Sequence, residues 1–323
     1  MENENIGATR SALNLDSFDK ALESRGIQFK KQERLAARST FRIGGPADTA
    51  VFPSTEEELI FAIDSAVDSG TRFLVCGNGS DLVFDDAGFR GAVIFTSGLK
   101  GLSVRGGSIT AGCGLPLIML SKAAADSSLT GLEFAYGIPG SVGGAVFMNA
   151  GAYGGQISDV LVSCRMYDRE TRRIKSVGNR EMRFGYRTSL AATDRRYTVL
   201  SAEFALGPGD PGTIRATMSD LMGRRISKQP LDLPSAGSVF KRPAPDIFAG
   251  RLIEDAGLKG CRIGGAEVSV KHAGFIVNAG GATCADVKAL CDYVRDRVEA
   301  ASGIRLECEI IFVPETGRNC GSI

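Results

Sequence analysis

The chain has 323 residues, of which 43% are hydrophobic and 23% are charged, and its formal net charge is +1 with a pI near 7.5. This length allows two domains, and the composition is typical of a globular protein. The balanced charge gives no electrostatic support for a nucleic-acid partner, and no run of about eighteen apolar residues predicts a membrane span.

The first half of the chain alternates predicted helices with short buried strands. Spacing of apolar residues predicts helices over 14–25, 55–69 and 116–126, each bounded by glycine or proline. Thr55 and Glu58 have the spacing of a capping box at the start of the second helix. The glycine-bounded apolar runs "RFLVCG" and "AVIF" predict buried strands.

The second half begins with strands, continues with helices and ends with one strand. "VLVSCRMYD", "RRIKSV" and "YTVLSAEFAL" predict strands, and "GPGDPG" (207–212) predicts a linker. Helices are predicted from there to about Arg225, around 247–256 and at 283–301, before an alternating strand, "RLECEIIFV". Because no regular βαβ repeat is present, the order favours α+β over a doubly wound sheet.

Cysteine and histidine usage limits the redox and metal chemistry. The polar N-terminus "MENENIGATR" does not resemble a signal peptide and no CxxC is present, so we expect reduced thiols and a cytoplasmic location. A single histidine, His272, excludes a His-based metal cluster, and we expect no metal. Most cysteines have apolar neighbours, whereas Cys320 lies in a polar tail as either a reactive thiol or part of a frayed end. The eight cysteines are residues 76, 113, 164, 261, 284, 291, 308 and 320.

Three glycine-containing stretches are candidate ligand loops. "GPGDPG" matches G-x-G-x-x-G, but Pro208 and Pro211 remove two N–H donors that a phosphate would need, which favours a linker. "CGNGSDL" (76–82) is by itself most simply a tight turn. The tract 137–155 holds seven glycines interleaved with apolar residues such as Phe147, which a solvated linker would not carry. This tract predicts a buried loop around a large flat or phosphorylated ligand.

Several charged residues are candidates for anion binding, each with a simpler alternative. Arg187 in "FGYRTS" is either an exposed arginine or a clamp for a carboxylate. Lys228 precedes "QP" in a rigid setting, whereas Arg224 suits a solvated helix end. Glu307 and Glu309 leave one face of the last strand, and their spacing alone does not separate a solvated pair from a functional carboxylate.

Ser238 in "LPSAGSVFKRP" (233–243) allows three interpretations. Its hydroxyl could belong to a simple turn, which is the default for so many small residues and prolines. A nucleophile would need an adjacent base, and the G-x-S-x-G elbow is absent. A proton donor to a carbanion would need only the right position. The residues alone leave this third interpretation open.

The ordered set of motifs closely resembles one enzyme family. "TFRIGGPAD", "GNGSDL", "IPGSVGGAVFMNAGAYGG", "FGYRTS", "KQPLDLPSAGSVFKRP", "AGRLIEDAGLKGCRIGGAEVSVKHAGFIVN" and "LECEIIFV" follow one another over roughly 34–314. Together they resemble the UDP-N-acetylenolpyruvoylglucosamine reductases, flavoenzymes of peptidoglycan precursor synthesis. Each motif is weak alone, whereas the order is specific.

The resemblance implies a fold and a division of the chain. We expect an α+β protein with a vanillyl-alcohol-oxidase-type FAD-binding fold of two subdomains at 20–207. A C-terminal α+β substrate-binding domain is expected at 213–315, with tails at 1–19 and 316–323.

The resemblance also implies the reaction. NADPH reduces FAD, and the flavin delivers hydride to the methylene carbon of UDP-N-acetylglucosamine enolpyruvate. A proton then quenches the adjacent carbon, giving UDP-N-acetylmuramate. Neither a nucleic acid nor a membrane is expected as a partner.

Carried over residue by residue, the resemblance assigns roles to named positions. Ser238 is the expected proton donor, and Arg187 and Glu309 are expected to stabilise the enolic intermediate. Expected substrate contacts are Tyr153, Tyr186, Lys228, Gly237, Lys241 and Arg242. Expected FAD contacts are Arg42, Ile43, Gly44, Gly77, Asn78, Gly79, Ser80, Asp81, Leu82, Gly114, Gly131, Pro139, Gly140, Ser141, Gly143, Gly144, Asn149, Gly151 and Ala152.

The chain departs from the family pattern in two places. The first glycine loop usually ends in Ser-Asn, but here it ends in Ser80-Asp81, and an aspartate has no amide N–H to donate. The subclass with an inserted tyrosine loop has an extra segment before the last domain, which this chain lacks. It therefore resembles the shorter subclass, with His272 or Arg242 as candidates to replace that tyrosine.

Two alternative functions for the chain are another flavin oxidoreductase of the same fold and a non-catalytic UDP-sugar-binding protein.

Overall fold

The computed structural model describes residues 14–317 and 321–322. Helices alternate with strands along these residues, and four single 3-10 turns lie at Leu35–Arg38, Thr96–Gly98, Glu133–Ala135 and Ile157–Asp159. The helices, in chain order, are α1 (14–24), α2 (Glu56–Ser69), α3 (Leu117–Asp126), α4 (Val142–Met148), α5 (Leu190–Thr193), α6 (Pro211–Lys228), α7 (Ala249–Asp255) and α8 (Cys284–Ser302).

A mixed five-stranded sheet, the first sheet, forms the N-terminal part. Its outermost described pair is antiparallel and the remaining neighbours are parallel. Helix α2 lies between two of its strands in the sequence and buries its apolar face in the same core as they do. The strands, in spatial order, are Phe29–Arg34, Pro46–Val51, Phe89–Phe95, Phe73–Cys76 and Gly321–Ser322.

Two antiparallel sheets follow. The second sheet has the spatial order Arg173–Gly178, Leu161–Asp168, Tyr197–Ala205, Ser108–Gly112 and Leu102–Arg105. The third sheet has the order Ser235–Ser238, Phe275–Asn278, Ala266–Val268 and Arg262–Ile263. Short pairs join Gly151–Ala152 to Gly155–Gln156, Leu129–Thr130 to Gly207–Pro208, and Leu82–Phe84 to Ile311–Val313. The predicted α+β class is confirmed.

The C-terminal core reaches back into the N-terminal part of the chain. Helices α7 and α8 and the third sheet bury their apolar faces in one cluster. Phe41, Ile43 and Val83 belong to the same cluster although they come from the N-terminal part. This shared packing fixes the third sheet beside the loop that follows Phe73–Cys76, and a cleft opens there.

Most predicted helix ends are found, but the capping box predicted at the start of α2 forms only in part. Thr55 accepts a hydrogen bond from the Glu58 backbone N–H, and Gly70 ends α2 in the left-handed conformation at φ 69°. The Glu58 carboxylate accepts from the Ser54 N–H at 2.7 Å. Only one half of the predicted capping box therefore forms at Thr55.

Two predicted segments are corrected by the structure. Instead of a free linker, "GPGDPG" contains a strand pair and the start of α6, which Asp210 caps by accepting from the Thr213 N–H at 2.7 Å. Pro211 occupies the first helical position, where its missing N–H costs nothing. The last predicted strand is also shorter, because only Ile311–Val313 pairs in a ladder and Cys308 makes an isolated bridge to Phe240.

The cysteines that the structure describes are all free thiols, and Cys320 lies outside the described residues. Burial raises the pKa of Cys76 and of Cys113 to about 12, as expected for inert core thiols. Across residues 14–317, no helix is long and apolar enough to cross a bilayer.

Asp168 is a buried carboxylate that fixes the end of a second-sheet strand. Burial raises its pKa, but hydrogen bonds from Lys175 and from the Thr171 and Glu170 backbone N–H groups outweigh that and lower the pKa to about 2. Its stabilising effect is thus complete above the ordinary pKa of 3.8 and is lost as the pH falls through about 2.

Asp168→Asn is expected to lower the free energy of unfolding at pH 7 by about 1–3 kcal/mol, because Lys175 and two N–H groups lose an ionised acceptor. Urea unfolding between pH 7 and pH 2 measures this. The variant should lose less stability than the parent chain as the pH drops through that range. Equal pH profiles for both proteins would contradict the assignment, and Asp126→Asn, on an exposed side chain, is the matched control.

Candidate active site

A cleft lies where the N-terminal sheets meet the third sheet, and its volume is about 1100 Å³ when the open solvent at its mouth is included. One wall is the loop after strand Phe73–Cys76, and a second is the glycine-rich tract with α4. The third wall carries Arg187, the strand end at Ser238 and the extended segment at Glu309.

The first two walls are held together by close backbone packing. A Cβ atom on Gly77 would lie 2.2 Å from the Ser141 Oγ, so the loops approach this closely only because residue 77 is glycine. Ser141 caps α4, accepting from the Gly144 N–H, and the Asn78 Nδ2 donates to the Pro139 carbonyl at 3.0 Å. These contacts hold the two loops together as a preformed cradle.

Arg187 and Glu309 form an ion pair in the cleft. Arg187 Nε donates to Glu309 Oε1 at 2.7 Å, and the side chains are only 22% and 12% exposed. Arg187 adopts φ 54°, a conformation that is uncommon for a residue with a side chain and that recurs at functional sites. The Tyr186 hydroxyl lies 3.5 Å from Glu309 Oε2. The neighbouring Glu307 instead pairs with Lys241 and is 74% exposed.

Ser238 ends a strand of the third sheet directly beside this ion pair. It pairs with Phe275, and Gly237 before it takes φ 78° at an irregularity in the ladder. The Glu309 N–H donates to the Val239 carbonyl at 2.7 Å, so Ser238 and Glu309 lie on adjacent backbone segments. Ser238 is exposed and lines the cleft, and no described residue hydrogen-bonds its hydroxyl. That hydroxyl is therefore available to a ligand.

Many of the predicted site residues line this cleft together. Those from the FAD-contact group are Gly77, Asn78, Gly79, Ser80, Asp81, Leu82, Pro139, Gly140, Ser141, Gly144, Gly151 and Ala152, and the others are Arg187, Gly237, Ser238 and Glu309.

The remaining predicted residues lie outside the cleft lining. Gly143 borders a small neighbouring cavity, and Asn149 ends α4, with its side chain bonded to Gly185 and Ser158. Arg242 donates its N–H to the Tyr186 hydroxyl, and its guanidinium lies over the Phe248 ring. His272 accepts from the Gly274 N–H and is not part of the lining. Also outside are Arg42, Ile43, Gly44, Gly114, Gly131, Tyr153, Tyr186, Lys228 and Lys241.

Arg225 and Gln229 line the cleft without having been predicted. Burial lowers the pKa of Arg225, and no ion pair joins it to an acidic residue in the described chain. The Gln229 Oε1 is buried without a hydrogen-bond partner. The spacing of α6 could have indicated Arg225, because it lies seven residues after the buried Met218 and so on the same helical face. Its neighbour Arg224 pairs with Asp220 at the surface.

Comparison with known proteins identifies the family to which this sequence is related. Residues 229–313 match the sequence model of the UDP-N-acetylenolpyruvoylglucosamine reductase C-terminal domain, and residues 47–176 match that of an FAD binding domain. A UDP-N-acetylenolpyruvoylglucosamine reductase of Pediococcus pentosaceus is 44% identical over 90% of this chain and 95% of its own. The chain belongs to the UDP-N-acetylenolpyruvoylglucosamine reductase family.

Other members of this reductase family agree in sequence and in fold. A Streptococcus pyogenes reductase is 46% identical over 91% of this chain and 98% of its own length. The crystal structure of the Thermus caldophilus reductase aligns with a TM-score of 0.76 at 31% identity, over 89% of this chain and all of that one. The predicted family and the predicted FAD-binding fold are confirmed.

Proposed function

We propose that this chain is an FAD-dependent reductase that converts UDP-N-acetylglucosamine enolpyruvate to UDP-N-acetylmuramate with NADPH. Membership of the reductase family and the FAD-binding domain support the reaction. The observation that carries the residue assignment is the convergence of Ser238, Arg187 and Glu309 on one glycine-lined cleft.

The cleft suits a flavin nucleotide. Gly77, Gly79 and Gly140 present backbone without side chains, and the Ser80 and Ser141 side chains lie beside them. Such a surface lets amides and hydroxyls approach a diphosphate closely. When bound, FAD supplies the hydride chemistry, and the protein supplies orientation and electrostatics.

Arg187 is proposed to stabilise the negative charge that develops next to the substrate carboxylate. Glu309 holds the guanidinium through Nε, and Nη2 donates to the Gly151 carbonyl at 3.4 Å, so Nη1 of Arg187 can face a ligand oxygen. Ser238, on the adjacent backbone segment, is proposed to give its hydroxyl proton to the substrate carbon. A carbanionic carbon is a far stronger base than the alkoxide left behind, so this transfer needs only correct placement.

The mouth of the cleft is proposed to receive the nucleotide sugar. Arg225 is a cation without an acidic partner in the described chain, and it can meet a phosphate oxygen. Tyr153 and Lys228 are exposed and would contact the same ligand near the mouth. A cytoplasmic location remains part of the proposal, and the free thiols of the described cysteines suit a reducing compartment.

The purified protein is expected to be yellow and to oxidise NADPH slowly until UDP-N-acetylglucosamine enolpyruvate is added. Flavin absorbance and NADPH consumption, followed with and without this substrate, measure both points. A colourless protein that binds no added FAD would contradict the proposal and favour a sugar-binding protein. A yellow protein indifferent to the substrate but active on an alcohol with oxygen would favour another flavin oxidoreductase.

A further inference from the structure

Asp81 is an acidic residue in the cleft that the proposed reaction does not use. It follows the glycine loop directly and lines the cleft, and its Oδ2 is buried with no hydrogen-bond partner. The Ile311 N–H donates to the Asp81 carbonyl at 2.9 Å, where Leu82–Phe84 pairs in parallel with Ile311–Val313. This pairing fixes the carboxyl group close to Glu309.

No cation of the described chain forms an ion pair with Asp81. The nearby guanidinium of Arg187 is bound to Glu309. Burial and the charge of Glu309 raise the pKa of Asp81 well above its usual value, and Arg187 opposes this only in part. The other titratable groups facing this space are Arg225, across the cleft, and Tyr186, which contacts Glu309.

An ionised Asp81 would be a buried carboxylate without a partner, which is costly. The side chain avoids this cost by keeping its proton, and a protonated carboxyl group has one O–H donor. No described residue hydrogen-bonds either oxygen of the Asp81 carboxyl group, and only Oδ2 is fully buried, so a proton on Oδ1 can be donated to a ligand in the cleft. A neutral carboxyl group can thus replace an amide as a hydrogen-bond donor.

We propose that Asp81 acts as a neutral carboxylic acid that donates a hydrogen bond from its less buried oxygen, Oδ1, to FAD. The inference rests on the proposed function for the identity of the ligand. FAD is the expected acceptor because Asp81 continues the loop, Gly77–Ser80, that forms the cradle. Loss of the Asp81 proton at high pH removes the donor and places a negative charge beside the ligand.

The test is FAD binding to the apoprotein across a pH series, followed by flavin fluorescence. In the parent chain the dissociation constant should rise toward high pH by up to about tenfold per pH unit, because one proton must be kept for binding. Asp81→Asn keeps an N–H donor and should abolish this dependence. Asp81→Ala should bind about three- to tenfold more weakly at neutral pH, since one hydrogen bond is lost. Asp126→Asn, at an exposed position, should behave as the parent chain.

A second measurement does not depend on FAD. Because the folded-state pKa of Asp81 is raised, the contribution of Asp81 to stability is most favourable below the ordinary pKa of 3.8 and falls as the pH rises toward the folded-state value. Asp81→Asn should therefore raise the melting temperature of the apoprotein at neutral pH. Its infrared difference spectrum against the parent chain should show the carbonyl band of a protonated carboxylic acid.

The outcomes separate this inference from the proposed function. If the parent chain and all variants fail to bind FAD, the proposed function fails. If all bind FAD with one common pH dependence, or the carbonyl band is absent, the role of Asp81 is overturned while the proposed function stands.

Discussion

Replacing Ser238 by alanine is expected to slow reduction of UDP-N-acetylglucosamine enolpyruvate by about 10²–10⁴-fold, the usual contribution of a general acid. Oxidation of NADPH by the bound flavin should stay within a few-fold, since Ser238 has no part in that step. The structural reason is that the hydroxyl faces the cleft without a partner in the described chain, so its removal breaks no internal contact. Rapid-mixing absorbance resolves the two half-reactions.

Two controls test the Ser238 assignment. Ser238→Cys keeps a proton donor at the same position and should recover part of the second half-reaction. Ser235→Ala, in the same strand, removes a hydroxyl that is not part of the cleft lining and should have little effect. Equal slowing of both half-reactions by Ser238→Ala would show that the residue is structural.

The family resemblance of the ordered motifs, and not the geometry of any single motif, implied the set of site residues, and only part of that set lines the cleft. The loop at 77–82 and the tract at 137–155 are rich in glycine, and their order was specific enough to predict their meeting. The alternation in "RLECEIIFV" placed Glu307 and Glu309 on one face but could not distinguish them. Tertiary packing does so, because Arg187 reaches Glu309 whereas Glu307 lies at the surface.

Other features depend on contacts between distant segments, which spacing along the chain cannot predict. Arg225 enters the cleft because α6 packs against the segment around Gly137, where a Cβ atom would lie 2.9 Å from the Arg225 Cδ. The "GPGDPG" strand forms because Leu129–Thr130 supplies its partner. The sequence shows only that Asp81 lacks an amide N–H to donate, whereas the structure shows that its Oδ2 is buried in the cleft wall, where burial raises the pKa of the carboxyl group.

Breaking the Arg187–Glu309 pair is the second large effect that we expect. Arg187→Met should lower the rate of the second half-reaction by about 10²–10³-fold, as removal of one preorganised donor commonly does. Glu309→Gln keeps an oxygen acceptor for Nε but loses the charge that orients the guanidinium. We expect its effect to be smaller, and kcat should fall more than KM rises.

The double variant Arg187→Met/Glu309→Gln tests whether Glu309 acts by positioning Arg187 or stabilises the substrate by itself. If Glu309 acts mainly by holding Arg187, adding Glu309→Gln to Arg187→Met should slow the reaction little further, because the group that Glu309 orients is already absent. Additive losses would show that Glu309 stabilises the substrate by itself. Glu307→Gln is the matched control, since Glu307 is 74% exposed and pairs only with Lys241. Its rate should stay near that of the parent chain because an exposed ion pair contributes little.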